Sequence, residues 1–120
     1  MFPFAILYVE SILEGMRITF TVPFEVICKI PGLPFSGHLT VSYVPARNEE
    51  GVFSLIEWDS FNEWVRSLRK QTMMAEELLT FFEQTIRQGI GPEPELDLTM
   101  EVESPYHLPT VLEVSSGDIG

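Results

Sequence analysis

The stretch that decides the fold is residues 39–45, LTVSYVP. Three apolar side chains alternate with hydroxyl side chains, which is the period-two pattern of a strand with one buried face. Pro45 ends this strand because proline has no backbone N–H to donate. Residues 16–30 alternate in part and are separated from the strand by the turn sequence PGLP at 31–34. The two stretches predict a hairpin in the first half of the chain.

The first of these two strands contains Pro23, which confines it to a sheet edge, places a bulge there or divides it into two shorter strands. Residues 52–56, VFSLI, predict a further short strand before the first helix. We therefore expect the hairpin to have one additional short strand at each end.

Two helices are predicted in the middle of the chain. Ser60 and Glu63 have the spacing of a capping box, which places a helix start near Ser60. Apolar residues then recur every three or four positions, the stripe of an amphipathic helix. A second helical stretch covers residues 72–88, and Gly89 followed by Pro92 is a stop signal. Whether the two helices join is left open by the pattern.

The last part of the chain returns to strands. Residues 96–102 alternate apolar and polar, and residues 110–114 follow a proline-bounded turn as the second strand of a hairpin. The predicted organisation is an N-terminal extension (residues 1–15), one domain (16–114) and a flexible tail (115–120). The fold class is α+β, with elements in the order ββααββ.

Composition limits the possible partners and compartment. The 120 residues fit one domain, and the formal net charge of −11, from seven basic and eighteen acidic residues, disfavours direct nucleic-acid binding and anionic membranes. No run approaches the eighteen apolar residues of a spanning helix. The apolar run 2–9 lacks the flanks of a signal peptide, and one cysteine fits a reducing compartment. We expect a cytoplasmic protein without a membrane partner.

Cys28 is the only cysteine, so it cannot form an internal disulfide. A lone thiol is either a small buried side chain or a reactive group. Glu57 and Glu76 lie nineteen residues apart and could supply carboxylates to a pocket beside the thiol. The alternative for both is a solvated acidic side chain in an acidic protein.

A register of matching residues resembles the QueF family of 7-cyano-7-deazaguanine reductases, over roughly residues 20–103. The family's cysteine, the turn after it and the strand ending Ser-Tyr-Ile-Pro correspond without a gap, and a second group follows after a loop about six residues longer. The matching positions are Cys28, Gly32, Pro34, Ser42-Tyr43-Val44-Pro45, Glu57, Ser60, Arg69 and Glu76.

The resemblance implies the tunnelling fold, an antiparallel sheet with two helices on one face and a barrel completed by homo-oligomerisation. It implies that Cys28 is the nucleophile, adding to a nitrile to form a thioimide that NADPH reduces. It also implies that Glu76 holds the edge of a purine or pterin ring, assisted by Glu57.

The sequence departs from the family at several positions. Phe35 stands where the family has its proton-donating aspartate, and Ala75 stands where it has a histidine. His38 is a substitute candidate for the proton donor. The stretch 58–62, WDSFN, replaces the lysine-bearing cofactor segment, which disfavours NADPH and leaves cofactor-binding residues unassigned. Neither histidine has a ligand-spaced neighbour, so no metal site is assigned.

Three readings other than nitrile reduction remain. The chain could be a catalytically silent purine- or pterin-binding or scaffold protein of the same fold. It could resemble the short archaeal QueF-like amidinotransferases, which add ammonia to the same nitrile in tRNA. It could also be a small α+β interaction domain whose resemblance is fortuitous.

Overall fold

The structure, a computed structural model, describes residues 2–10, 15–30, 32–104 and 107–115. Within these ranges the chain forms six strands and two α-helices. In order they are β1 Ile6–Val9, β2 Ile18–Ile27, β3 Pro34–Val44, β4 Phe53–Ile56, α1 Trp58–Ser67, a 3-10 turn Leu68–Lys70, α2 Ala75–Ile90, β5 Glu95–Ser104 and β6 His107–Ser115.

The main sheet has four antiparallel strands in the order β2-β3-β5-β6. Val41 in β3 lies opposite Phe20 in β2 and Leu98 in β5. The predicted hairpin, the two C-terminal strands and the α+β order ββααββ are therefore confirmed. Strands β2 and β6 form the two edges of this sheet within one chain.

Pro23 does not interrupt β2, which runs unbroken from residue 18 to 27. The proline lies opposite His38 on the edge strand, where its missing N–H costs no hydrogen bond to a second neighbour. Of the three options that the sequence allowed, the structure shows the edge strand.

One face of the sheet is apolar and carries both helices. The ring of Phe61 in α1 lies 5.5 Å from that of Phe20, and Phe82 in α2 lies 6.3 Å from Phe24. Complete burial of such a side chain contributes about 1.5–3 kcal/mol, so this layer supplies most of the core. The prediction of two helices on one face is confirmed.

The opposite face of the sheet is polar and exposed. Hydroxyl oxygens pair across β2 and β3 at 3.0 Å, between Thr19 and Ser42 and between Thr21 and Thr40. The alternation seen in the sequence therefore separates a helix-covered face from a hydroxyl-rich one.

The N-terminal residues contribute to the same core. Strand β1 pairs with β4 in a second, two-stranded antiparallel sheet. Phe4 is 4% exposed, and its ring packs edge-on against Phe61 at 4.8 Å. The segment expected to form an extension thus supplies a strand and a buried aromatic ring, and β1 and β4 are the two additional short strands. Residues 116–120 of the predicted tail lie outside the described ranges.

The helix boundaries differ from the capping-box prediction. Helix α1 begins at Trp58, and its cap is Glu57, whose carboxylate accepts the N–H groups of Asp59 and Ser60. The Ser60 hydroxyl instead accepts the N–H of Ala5 at 2.8 Å. The prediction that Ser60 caps the helix is wrong because a carboxylate three residues earlier satisfies the same amides.

The two helices do not join. The 3-10 turn and an extended segment around residues 71–74 separate them, and α2 continues to Ile90, where Gly91 adopts φ +88°. No helix in the described ranges is long and apolar enough to cross a membrane.

Candidate functional site

Cys28 directly follows β2 and lies at the border of the core, with 9% of its surface exposed. A tight turn covers the thiol: the Cys28 N–H donates to the Leu33 carbonyl, and the Gly32 N–H donates to the Cys28 carbonyl, both at 2.9 Å. The Sγ atom itself donates to the Ile30 carbonyl at 2.8 Å. Gly32 has φ +88°, which a residue with a side chain rarely adopts.

The end of β2 is tied to the segment that leads into α2. The Ile27 N–H donates to the Gln71 carbonyl, and the Met73 N–H donates to the Ile27 carbonyl, both at 2.9 Å. Thr72 thereby forms a parallel bridge with Ile27. Residues that are far apart in sequence become neighbours, so the cysteine lies beside the approach to Glu76.

A salt bridge joins the same two segments. The Lys29 ammonium lies 2.8 Å from a carboxylate oxygen of Glu77 in the first turn of α2. Hydrogen bonding from Lys29, followed by that from the Met74 N–H, holds the pKa of Glu77 below its ordinary value. The cation beside Cys28 is therefore already paired with a carboxylate.

Glu76 is exposed on the first turn of α2. It lines an open cleft of about 400 Å³ together with Glu77, Thr80, Phe81 and Gln84. Within the described part of the chain, no group donates a hydrogen bond to its carboxylate. This carboxylate is free to accept donors from a ligand.

Glu57 lies elsewhere. Its two carboxylate oxygens accept the α1 amides at 3.2 and 2.7 Å, and it follows Ile56, which pairs with Ile6. Ile6 contacts α2 near Gly89, thirteen positions after Glu76. At 1.5 Å per residue, thirteen positions span about 20 Å along the helix axis, so Glu57 and Glu76 lie toward opposite ends of α2. One chain does not bring Glu57 to Glu76.

The positions that depart from the family pattern are apolar in the structure. Phe35 lies opposite Val26, is 4% exposed, and its ring is 6.1 Å from that of Phe24. Ala75 is the first residue of α2 and is half-buried. His38 is exposed on the polar face, whereas Cys28 faces the core, so the structure does not bring this histidine to the thiol.

A second cleft was missed from the sequence. It holds about 370 Å³ and is lined in part by Arg66, Arg69 and His38. The available signal was a pair of arginines three positions apart at the end of the first predicted helix, which places both on one helix face. No cluster of three potential metal ligands occurs among the described residues.

No model of a protein family and no curated protein matches the sequence. Among solved structures, the chain is similar to the archaeosine synthase QueF-like in its apo form, with a TM-score of 0.73 and 17% identity. The match covers 89% of this chain and 99% of the solved one.

The chain shares its α+β tunnelling fold with this solved structure. At 17% identity the likeness concerns the fold, and the chemistry must be argued from the residues at the site.

Proposed function

We propose that the chain is a QueF-like protein that binds a 7-cyano-7-deazaguanine-type purine or pterin ring at Glu76 and adds the Cys28 thiol to the ring nitrile. The observation that carries the proposal is a pair of hydrogen bonds, one from the Ile27 N–H to the Gln71 carbonyl and one from the Met73 N–H to the Ile27 carbonyl. These bonds support the proposal because they join the residue before Cys28 to the segment that leads into α2.

Glu76 is suited to anchor the ring. A carboxylate can accept two parallel N–H bonds from the edge of a guanine-like ring, and charge-assisted bonds of this kind are stronger than neutral ones. Phe81 lines the same cleft and offers an apolar surface to the ring. The neighbouring Glu77 is neutralised by Lys29, so Glu76 is the carboxylate left for the ligand.

The covalent step needs no redox partner. The sulfur forms a bond to the nitrile carbon, the C≡N triple bond becomes C=N, and the thiol proton ends on the nitrogen, giving a thioimide. The hydrogen bond from the thiol to the Ile30 carbonyl must break first, because the sulfur is nearly buried and engaged by it.

The group that attacks the thioimide is ammonia rather than a hydride from NADPH. Its nitrogen bonds to the thioimide carbon, the C–S bond breaks, one ammonia proton passes to the sulfur, and an amidine and the free Cys28 thiol result. The start of α1, where the family carries its cofactor lysines, holds Glu57 and Asp59 in this chain. A dinucleotide phosphate would be repelled there. The similar solved structure is an archaeosine synthase, and amidine formation is the corresponding redox-neutral outcome.

A second copy of the chain would complete the ring site. Glu57 and Glu76 lie at opposite ends of α2 within one chain, and the main sheet has two open edges, β2 and β6. Pairing between copies satisfies open strand edges. A homo-oligomer could then bring one copy's Glu57 to the Glu76 of its neighbour.

A catalytically silent ring-binding protein is the second candidate. Phe35 fills the core where the family aspartate would donate a proton, and the Cys28 thiol is nearly enclosed. Both features favour binding without chemistry.

Intact-protein mass spectrometry after incubation with 7-cyano-7-deazaguanine separates these candidates. We expect an adduct with the mass of one ligand per chain, lost in Cys28→Ala and strongly reduced in Glu76→Gln. Saturable binding without an adduct would support the silent protein. The absence of both binding and an adduct would overturn both candidates.

A further inference from the structure

A cleft of about 370 Å³ lies beside the edge strand β2, and Cys28 is not among its lining residues. Its charged lining comes from three places. Arg66 and Arg69 project from the end of α1 and the 3-10 turn, while Glu25 belongs to β2 and Glu103 to β5. Its volume falls at the lower end of the roughly 300–1,000 Å³ of small-molecule sites.

The two arginines carry unneutralised charge in a strongly acidic protein. Arg17 and Lys29 form salt bridges with nearby carboxylates. Neither Arg66 nor Arg69 has a hydrogen-bond or salt-bridge partner for its guanidinium among the described residues. Their spacing of three positions puts like charges on one helix face, which is mildly unfavourable without an anion between them.

Glu25 and Glu103 occupy the same cleft without pairing with the arginines. The two carboxylates lie on strands that flank β3, each opposite Ser36. No carboxylate oxygen of either comes within 4.0 Å of a guanidinium nitrogen in the described structure. The cleft therefore has a positive end and a negative end.

This charge separation defines the ligand chemistry. Two guanidinium groups can donate in parallel to the oxygens of a phosphate, which is the geometry that favours arginine over lysine. The carboxylates repel the phosphate and accept N–H groups from the rest of the molecule. A long polyanion is disfavoured by the net charge of −11.

We propose that this cleft binds a small phosphate ester that also carries N–H donors, such as a nucleoside monophosphate, with the phosphate at Arg66 and Arg69. The proposal does not depend on the ring site, because the two clefts share no lining residue and Cys28 lines neither of them.

The first test is isothermal titration of the intact protein with inorganic phosphate and with adenosine 5′-monophosphate. We expect saturable binding of both, with the nucleotide tighter. Arg66→Gln and Arg69→Gln should each weaken phosphate binding about tenfold or more, as expected for loss of a charged hydrogen bond. Lys70→Gln is the matched control. The substitution also removes one positive charge from the 3-10 turn, but Lys70 does not line the cleft.

The control variant distinguishes specific phosphate binding in the cleft from general electrostatic attraction by positive surface charge. A Lys70→Gln effect within about twofold supports the cleft, because screened surface charges act weakly. An equal loss in all three variants, or no binding of either probe to the unmodified chain, would overturn the proposal.

The negative end has a test of its own. In Glu25→Gln or Glu103→Gln the ratio of nucleotide to phosphate affinity should fall, because a carboxylate acceptor is lost and the repulsion of free phosphate decreases. A ratio unchanged in both variants would contradict the assignment of the N–H-accepting end. Circular dichroism of each variant checks that its fold is intact.

Discussion

For Cys28, some properties follow from the sequence and others only from the fold. The sequence marks it as the only thiol and as part of a matching register. The surroundings of the thiol depend on hydrogen bonds that only the folded turn defines: Cys28 donates to the carbonyls of Leu33 and Ile30 and accepts the Gly32 N–H. The bond from Ile27 to the approach of α2 likewise joins residues more than forty positions apart, which no local pattern contains. Proximity to Glu76 is thus a property of the fold.

The Lys29–Glu77 pair leads to a prediction at the same scale. Lys29→Met removes the hydrogen bond that lowers the pKa of Glu77, so this pKa should rise toward its ordinary value. The carboxyl resonances followed by NMR during a pH titration measure the change. Lys70→Met, which removes a cation without this contact, should leave the Glu77 titration unchanged.

The sign of the stability effect follows from linkage. Because the pKa of Glu77 is lower in the folded chain, the pair contributes stability above the ordinary carboxyl pKa. This contribution is lost as the pH falls through the lowered value. Lys29→Met should therefore flatten the acid side of the stability profile, most clearly at low salt. A Glu77 pKa that does not move would contradict the account.

At the level of elements, period-two and period-3.6 patterns predicted the four strands of the main sheet, β4 and both helices, while β1 lies in the segment expected to form an extension. The start of α1 was misplaced because Ser60 and Glu63 have the spacing of a capping box, whereas glutamate at position 57 is not a preferred cap residue. Glu57 caps the helix because its carboxylate accepts the N–H groups of Asp59 and Ser60. The Ser60 hydroxyl instead accepts the N–H of Ala5 in the N-terminal segment.

Glu57→Ala should therefore lower the free energy of unfolding by about 1 kcal/mol, the usual cost of losing a helix cap. Urea denaturation measures it. Glu63→Ala is the control: it removes the acid that the capping box would have used, and we expect a change within about 0.5 kcal/mol. A larger loss of stability in Glu63→Ala than in Glu57→Ala would instead support the capping box at Ser60.

Gly37 carries a second element-level prediction. A Cβ at this position in β3 would overlap the carbonyl oxygen of Glu101 on β5 and approach the ring of Phe24 to 2.9 Å. Backbone cannot move aside cheaply inside a sheet, so Gly37→Ala should cost about 1–3 kcal/mol or more.

The matched control is Ser36→Ala, at the exposed neighbouring position on the same strand. Thermal or urea unfolding of the two variants should show a loss only for Gly37→Ala. Equal stability of the two would mean that β3 and β5 do not approach as closely as described.

For the whole molecule, the sequence predicted the class and order of elements, and the structure added how they close around the core. The paired strands β1 and β4 could not be foreseen as partners, since strand pairing across fifty residues depends on packing by Phe4 and Phe61. The separation of Glu57 from Glu76 has the same origin. Equal sequence spacing in a family does not require that both residues act in one copy.

That separation predicts an assembly. We expect light scattering coupled to size-exclusion chromatography to give a multiple of the 13.7 kDa chain mass. The open edges of β2 and β6 and exposed Val111 are the features that favour association. A mass of 13.7 kDa that persists at micromolar and higher concentrations would contradict the shared ring site.

The central claim is that Glu76 anchors a purine-like ring beside Cys28, and equilibrium binding of 7-cyano-7-deazaguanine tests it most directly. Calorimetry should show saturable binding to the unmodified chain, about tenfold or more weaker in Glu76→Gln because a charge-assisted bond is lost. Glu83→Gln on the same helix, outside the cleft, should bind within about twofold of the unmodified chain. Equal affinity in Glu76→Gln and Glu83→Gln, or no binding at all, would contradict the account.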